Sequence, residues 1–138
     1  MNKKVSQFIT PQALFFLHGL ITLAAGVVLI VDPNLIPGIV GIHLSSSEYL
    51  VPYLLGTAEL CIATISLGAS RLVDELALRT VAWSFVVLHG STALIEIYAY
   101  TQGLDAIIWG NIALRVVVAA LFVYFGMYPS PRKTRNKA

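Results

Sequence analysis

Four stretches of the chain are almost continuously apolar, at about 13–31, 49–67, 80–100 and 107–127. Each is long enough to cross a hydrocarbon layer of roughly 30 Å as a helix rising about 1.5 Å per residue. No lysine falls inside them, and each is bounded by residues that stop helices or prefer water. Pro11 precedes the first and Asp32-Pro33 follows it. Ser45-Ser46-Ser47-Glu48 precedes the second and Gly68 follows it, Gln102-Gly103 separates the last two, and Pro129 and Pro131 close the fourth. The pattern predicts an all-α fold, a four-helix integral membrane bundle forming one four-span domain over 1–138.

Within these spans the few polar residues recur at helical spacing, alongside small residues. Span one aligns His18, Thr22, Ala25 and Gly26, and span two aligns Pro52, Glu59, Ala63 and Ser66. Span three aligns His89, Ala93, Glu96 and Tyr100, and span four Asn111, Arg115, Ala119 and Gly126. The other faces read as Leu, Ile, Val and Phe. Ionisable groups at membrane depth turn inward and pair, so the stripes predict a polar seam packed through small residues. His18, Glu59, His89, Glu96, Asn111 and Arg115 are its expected members. By depth, Glu59 and Arg115 both fall near mid-membrane, which makes Glu59 the first partner for the guanidinium, with Glu96 as the alternative or second member. The cluster reads either as a clamp that sets helix register or as a site for a small polar ligand, a proton or a substrate headgroup.

Composition agrees with a lipid solvent: 57% of residues are hydrophobic and 12% charged, where soluble domains carry about a quarter charged. The net charge of +2 gives no case for nucleic acid. Lys3, Lys4, Arg71, Arg79, Arg132, Lys133, Arg135 and Lys137 all fall on one side of the predicted bundle, and the loops after spans one and three hold no Lys or Arg. Both termini are therefore expected in the cytoplasm. The run of small residues Ala24-Ala25-Gly26 passes directly into Val27-Val28-Leu29, so the first span reads as an uncleaved anchor. The broken apolar loop at 32–48 is expected to fold onto the outer end of the bundle, with His43 an ordinary interfacial histidine.

Leu17-His18-Gly19 recurs as Leu88-His89-Gly90, and Leu55-Gly56 is loosely matched by Trp109-Gly110. This suggests two parallel two-helix repeats and puts both histidines at similar depth, about 10 Å above the cytoplasmic ends. Two such histidines beside glycines admit a haem alternative, haem b with His18 and His89 as axial ligands; a proton-handling relay is the other. Otherwise no cofactor or metal is expected. The chain has no G-x-S-x-G, H-E-x-x-H or C-x-x-C motif, so an enzyme is the weaker reading. The lone Cys61 excludes an internal disulfide and reads as a packing residue. A non-enzymatic module remains, binding a small ligand or partner subunit at the seam, with the lipid bilayer and a membrane-protein partner or homodimer as its contacts.

The first span ending in Asp32-Pro33, the short apolar loop, the stretch Tyr53-Leu54-Leu55-Gly56-Thr57-Ala58-Glu59-Leu60 and Ala77-Leu78-Arg79 before the third span together resemble the small bacterial four-helix membrane proteins of the DoxX-like kind, including uncharacterised families beside them. The second-helix stretch is similar to their leucine-glycine-x-x-glutamate-leucine signature. The resemblance implies a four-helix bundle in a bacterial inner membrane and little specific biochemistry. Some DoxX-like proteins are subunits of redox complexes; this chain, with one cysteine, departs from any redox role of its own.

Overall fold

The structure, a computed structural model, describes residues 10–127. Lys3, Lys4 and the basic tail from Pro131, with the topology signals they carry, lie outside the described residues. Five α-helices follow one another: α1 (Pro11–Val31), the short α2 (Leu35–Ile39), α3 (Leu50–Ala69), α4 (Glu75–Thr101) and α5 (Ile108–Met127). The four long ones are each apolar and long enough to cross a membrane, as the apolar pattern predicts. Thr10 caps α1, accepting from the Ala13 amide at 3.1 Å, with Pro11 at the first helical position, where its missing N–H costs nothing. Asp74 caps α4 in the same way at 2.8 Å from the Ala77 amide. At 27 residues, α4 is about 40 Å long and exceeds the hydrocarbon layer. Its first turn carries the half-exposed Glu75–Arg79 ion pair at 3.0 Å, so α4 begins ahead of the apolar run that starts at Thr80.

The bundle is two hairpins. α1 lies along α3, and α4 lies along α5, while α3 and α4 touch only slightly. In the first hairpin glycines bring the backbones together. A Cβ on Gly56 would stand 2.9 Å from the Gly26 carbonyl oxygen and 2.8 Å from Ile30, and one on Gly19 would stand 2.7 Å from Leu67. Small residues at a helix crossing gain van der Waals contact that lipid cannot supply. Gly90 and Gly110, their counterparts in the sequence echo, meet nothing within 4 Å. The two hairpins share an order of elements, but not a way of packing.

The hairpins meet through aromatic side chains. Phe15, Phe85 and Phe122 are buried and pack mutually, with ring centroids 5.1–6.0 Å apart. These three correct the expectation that phenylalanine belongs to the lipid-facing surfaces. Leu14, Ala69 and Ala82 complete this core. A second, smaller cluster of Ala93, Ile108 and Ile112 lies near the opposite end, and Val40 of the 32–48 loop packs on it. That loop does fold onto the bundle. Asn34 fastens it, accepting from the Leu44 amide at 2.7 Å and donating to the Leu44 carbonyl and the Tyr49 hydroxyl. Ser45 and Glu48 close a capping box before α3, and these bonds hold the Glu48 carboxyl below its ordinary pKa. Outward residues such as Leu17, Ile21, Leu94 and Val117 are exposed, as a lipid-facing surface requires. Cys61 is also exposed, contrary to its reading as interior packing.

The glycine crossing yields a direct test. Gly56→Val should lower stability by about 1–3 kcal/mol, because the obstructing atoms include backbone. Gly90→Ala, with open space around it, should leave the unfolding temperature unchanged or slightly raised. Thermal unfolding in detergent micelles distinguishes the two.

Candidate functional site: the intramembrane polar seam

His18 and His89 come from the first long helix of each hairpin, and their Nε2 atoms lie 3.0 Å apart. His18 Nδ1 lies 2.9 Å from the Ser66 hydroxyl, which donates to the Phe15 carbonyl at 2.8 Å. The direction of this chain follows from its fixed end. A carbonyl only accepts, so Ser66 spends its proton on Phe15 and must accept from His18 Nδ1–H. A histidine buried from water is neutral, so His18 Nε2 is a bare acceptor and His89 donates to it from Nε2–H. Both imidazoles are neutral in this arrangement, and His89 is left with an unprotonated Nδ1. That atom is buried and has no hydrogen-bond partner. Phe85 and Phe122 pack on the His18 ring, with centroids at 4.6 and 5.2 Å, and Phe122 is parallel to the His89 ring. The aromatic core thus forms a floor beneath the histidine pair.

Two turns further along α4, Glu96 Oε1 accepts from Arg115 Nε at 2.8 Å and from Asn111 Nδ2 at 2.7 Å. Only 13% of the Glu96 side chain and 24% of the Arg115 side chain are exposed. The pairing corrects the expectation that Glu59 receives the guanidinium first. Depth alone favours Glu59, but lateral neighbourhood decides for Glu96. Arg115 and Glu96 belong to one hairpin, whereas Glu59 is on α3 across the bundle. Both donors converge on Oε1, so Glu96 Oε2 is buried without a partner. Glu59 and His89 nevertheless lie within electrostatic reach of Arg115.

Glu59 occupies the buried face of α3, three residues after buried Gly56 and four before buried Ala63. It is itself only part-buried and makes no hydrogen bond or ion pair among the described residues. Thr22, one turn beyond His18 on α1, is buried, and no hydrogen bond engages its hydroxyl. Thr57, Thr64, Thr80 and Thr92 differ: each bonds the carbonyl one turn back. The buried side-chain atoms left without a partner among the described residues are His89 Nδ1 and Glu96 Oε2, both on α4, and Glu59 on α3 lies within electrostatic reach of Arg115 from α5.

The six expected members are thus divided between two connected groups. His18 and His89 form one, joined by Ser66, and Glu96, Asn111 and Arg115 form the other, with Glu59 facing them across the seam. Tyr100 is exposed and packs against Trp109 at the end of the bundle, outside the stripe assigned to it. Ser66 was legible as a stripe member, and its role at the end of the histidine chain needed the α1–α3 crossing. The haem alternative requires an iron between the two imidazoles. Metal–imidazole bonds of about 2.0–2.1 Å would hold the nitrogens about 4 Å apart, and here the rings bond directly. Among the described residues no three His, Cys, Asp or Glu side chains gather as a metal set.

Ser66→Ala should strand the His18 Nδ1–H and cost about 1–3 kcal/mol of stability. Thr64→Ala, on the exposed side of the same helix, should cost under about 0.5 kcal/mol. Equal effects in a detergent unfolding series would contradict the buried chain.

No family model, curated protein or solved structure matches this chain.

Proposed function

We propose that this multi-pass membrane protein is a non-enzymatic module that binds a small polar ligand in the seam between its hairpins. The observation that carries this reading is the pair of buried acceptors without donors, His89 Nδ1 and Glu96 Oε2, on the same face of α4 and two turns apart. Burying an acceptor without a donor costs about 1–3 kcal/mol, and a ligand that supplies donors recovers it. Closure at both ends supports the reading: the aromatic core lies at one end of the seam, and Val40 with the Ala93, Ile108 and Ile112 cluster lies towards the other.

A bacterial inner membrane, cytoplasmic termini and kinship with the DoxX-like proteins belong to the same proposal. Arg71 and Arg79, both exposed, support that orientation, since an excess of basic residues marks the cytoplasmic face. The runner-up reading, proton handling, is favoured by the His18–His89 bond. Its chain ends on the Phe15 carbonyl, which has no proton to pass on, so it fits a proton store better than a path across the membrane.

Native mass spectrometry of the protein purified in mild detergent tests the proposal. The wild type should carry a non-covalent small-molecule adduct, and His89→Gln with Glu96→Gln should lose most of it. A ligand-free wild type, or an adduct indifferent to the double substitution, would overturn it. A Soret band on the same sample would assign the adduct as haem.

A further inference from the structure

Charge counting across the seam sets what kind of ligand it can hold. The groups facing it are His18 from α1, Glu59 from α3, His89 and Glu96 from α4, and Arg115 from α5. His18 is buried and His89 Nδ1 is shut off from water, which favours the neutral form of both imidazoles, and the hydrogen-bond chain accommodates that form. Arg115 and Glu96 cancel in a 2.8 Å ion pair. Glu59 is left over: one carboxylate more than there are guanidinium groups, at membrane depth, with no hydrogen bond of its own. Such a group holds a proton or a cation. The buried hydrogen-bonding deficit has the same sense, since His89 Nδ1 and Glu96 Oε2 both lack donors. Arg115 is the one cation here, and its Nε is already committed to Glu96.

Resting on the ligand-binding reading above, we infer that the seam takes a small monocation bearing N–H donors, of the protonated-amine class, and that this cation and a proton compete for Glu59. An ammonium group supplies the missing positive charge together with N–H donors for the acceptors beside it. A proton on Glu59 neutralises the charge but leaves the two acceptors on α4 unsatisfied. A quaternary ammonium neutralises the charge without donors, and a carboxylate ligand would add to the negative excess. Binding therefore weakens as pH falls, because protonation of Glu59 removes the charge the amine needs.

The test uses the full chain in lipid nanodiscs and four probes of one shape: benzylammonium, benzyltrimethylammonium, benzyl alcohol and benzoate. Benzylammonium should bind saturably and at least about tenfold more tightly than the others, a margin of one decade in Kd. Its affinity should fall by up to about tenfold per pH unit on the acid side, the slope for one proton displacing one cation. Glu59→Gln should abolish binding and its pH slope together, and Glu59→Asp should restore both. The wild-type pH slope needs no variant, so the test survives a substitution that fails to fold. Benzoate or benzyl alcohol binding best, in a manner lost in His89→Gln with Glu96→Gln, would overturn the cation assignment and leave the seam as a binding site. Benzylammonium binding with no pH slope, or retained in Glu59→Gln, would overturn the competition at Glu59. Failure of all four probes to bind would overturn the inference; an adduct on the native protein would then still uphold the seam itself.

Discussion

Hydrocarbon offers no hydrogen-bond partner, so every polar side chain carried into the membrane must find one in the protein or be left wanting. That constraint falls hardest on the contact between His18 and His89. The hairpins are each well packed internally, but they share few backbone contacts. What joins them is an apolar core centred on three phenylalanines and, resting on it, an imidazole-to-imidazole hydrogen bond. Ser66 and the Phe15 carbonyl anchor one end of that bond inside the first hairpin, which fixes both tautomers and leaves the lone pair of His89 Nδ1 buried. The unsatisfied end of the chain is thus a consequence of the satisfied end.

The two hairpins solve the problem of helix association in lipid by different means. In the first, Gly26 and Gly56 let the backbones approach until a Cβ would have no room, and dispersion contacts do the holding. In the second, an ion pair reinforced by Asn111 spans α4 and α5. A glycine contact needs no further partner, whereas a carboxylate bonded through one oxygen has a second oxygen to satisfy. The open chemistry of the molecule is for that reason concentrated on the second hairpin and on Glu59, which faces it.

The helices and their inward faces were legible in the sequence because both are properties of a single segment. Length, apolarity and 3.6-residue spacing locate α1, α3, α4 and α5, and they put His18, Thr22, Ala63, Ser66 and Ala93 inside. Pairings between segments were less legible. Glu59 matches Arg115 best when only depth is counted, yet the guanidinium pairs with Glu96, because the choice depends on which helices are neighbours. Phe15, Phe85 and Phe122 look like lipid-facing bulk, since an apolar ring suits hydrocarbon and protein interior equally. A spacing signal was nevertheless present: Phe15 is three residues before His18, Phe85 is four before His89 and Phe122 is seven after Arg115, so each shares a face with a polar seam residue. Cys61 faces outward for the same reason that its burial was expected: a thiol is apolar enough for either side.

The most direct measurement is the scalar coupling between histidine nitrogens across a hydrogen bond, read by ¹⁵N NMR on protein labelled at histidine and reconstituted in lipid. The structure predicts one coupled pair, His18 Nε2 and His89 Nε2, in which the His89 nitrogen carries the proton and the His18 nitrogen does not, with His18 protonated at Nδ1. Absence of that coupling, or a protonated Nε2 on His18, would contradict the account, because the hairpins would then be joined by something other than this bond and the vacant acceptor on His89 would no longer follow.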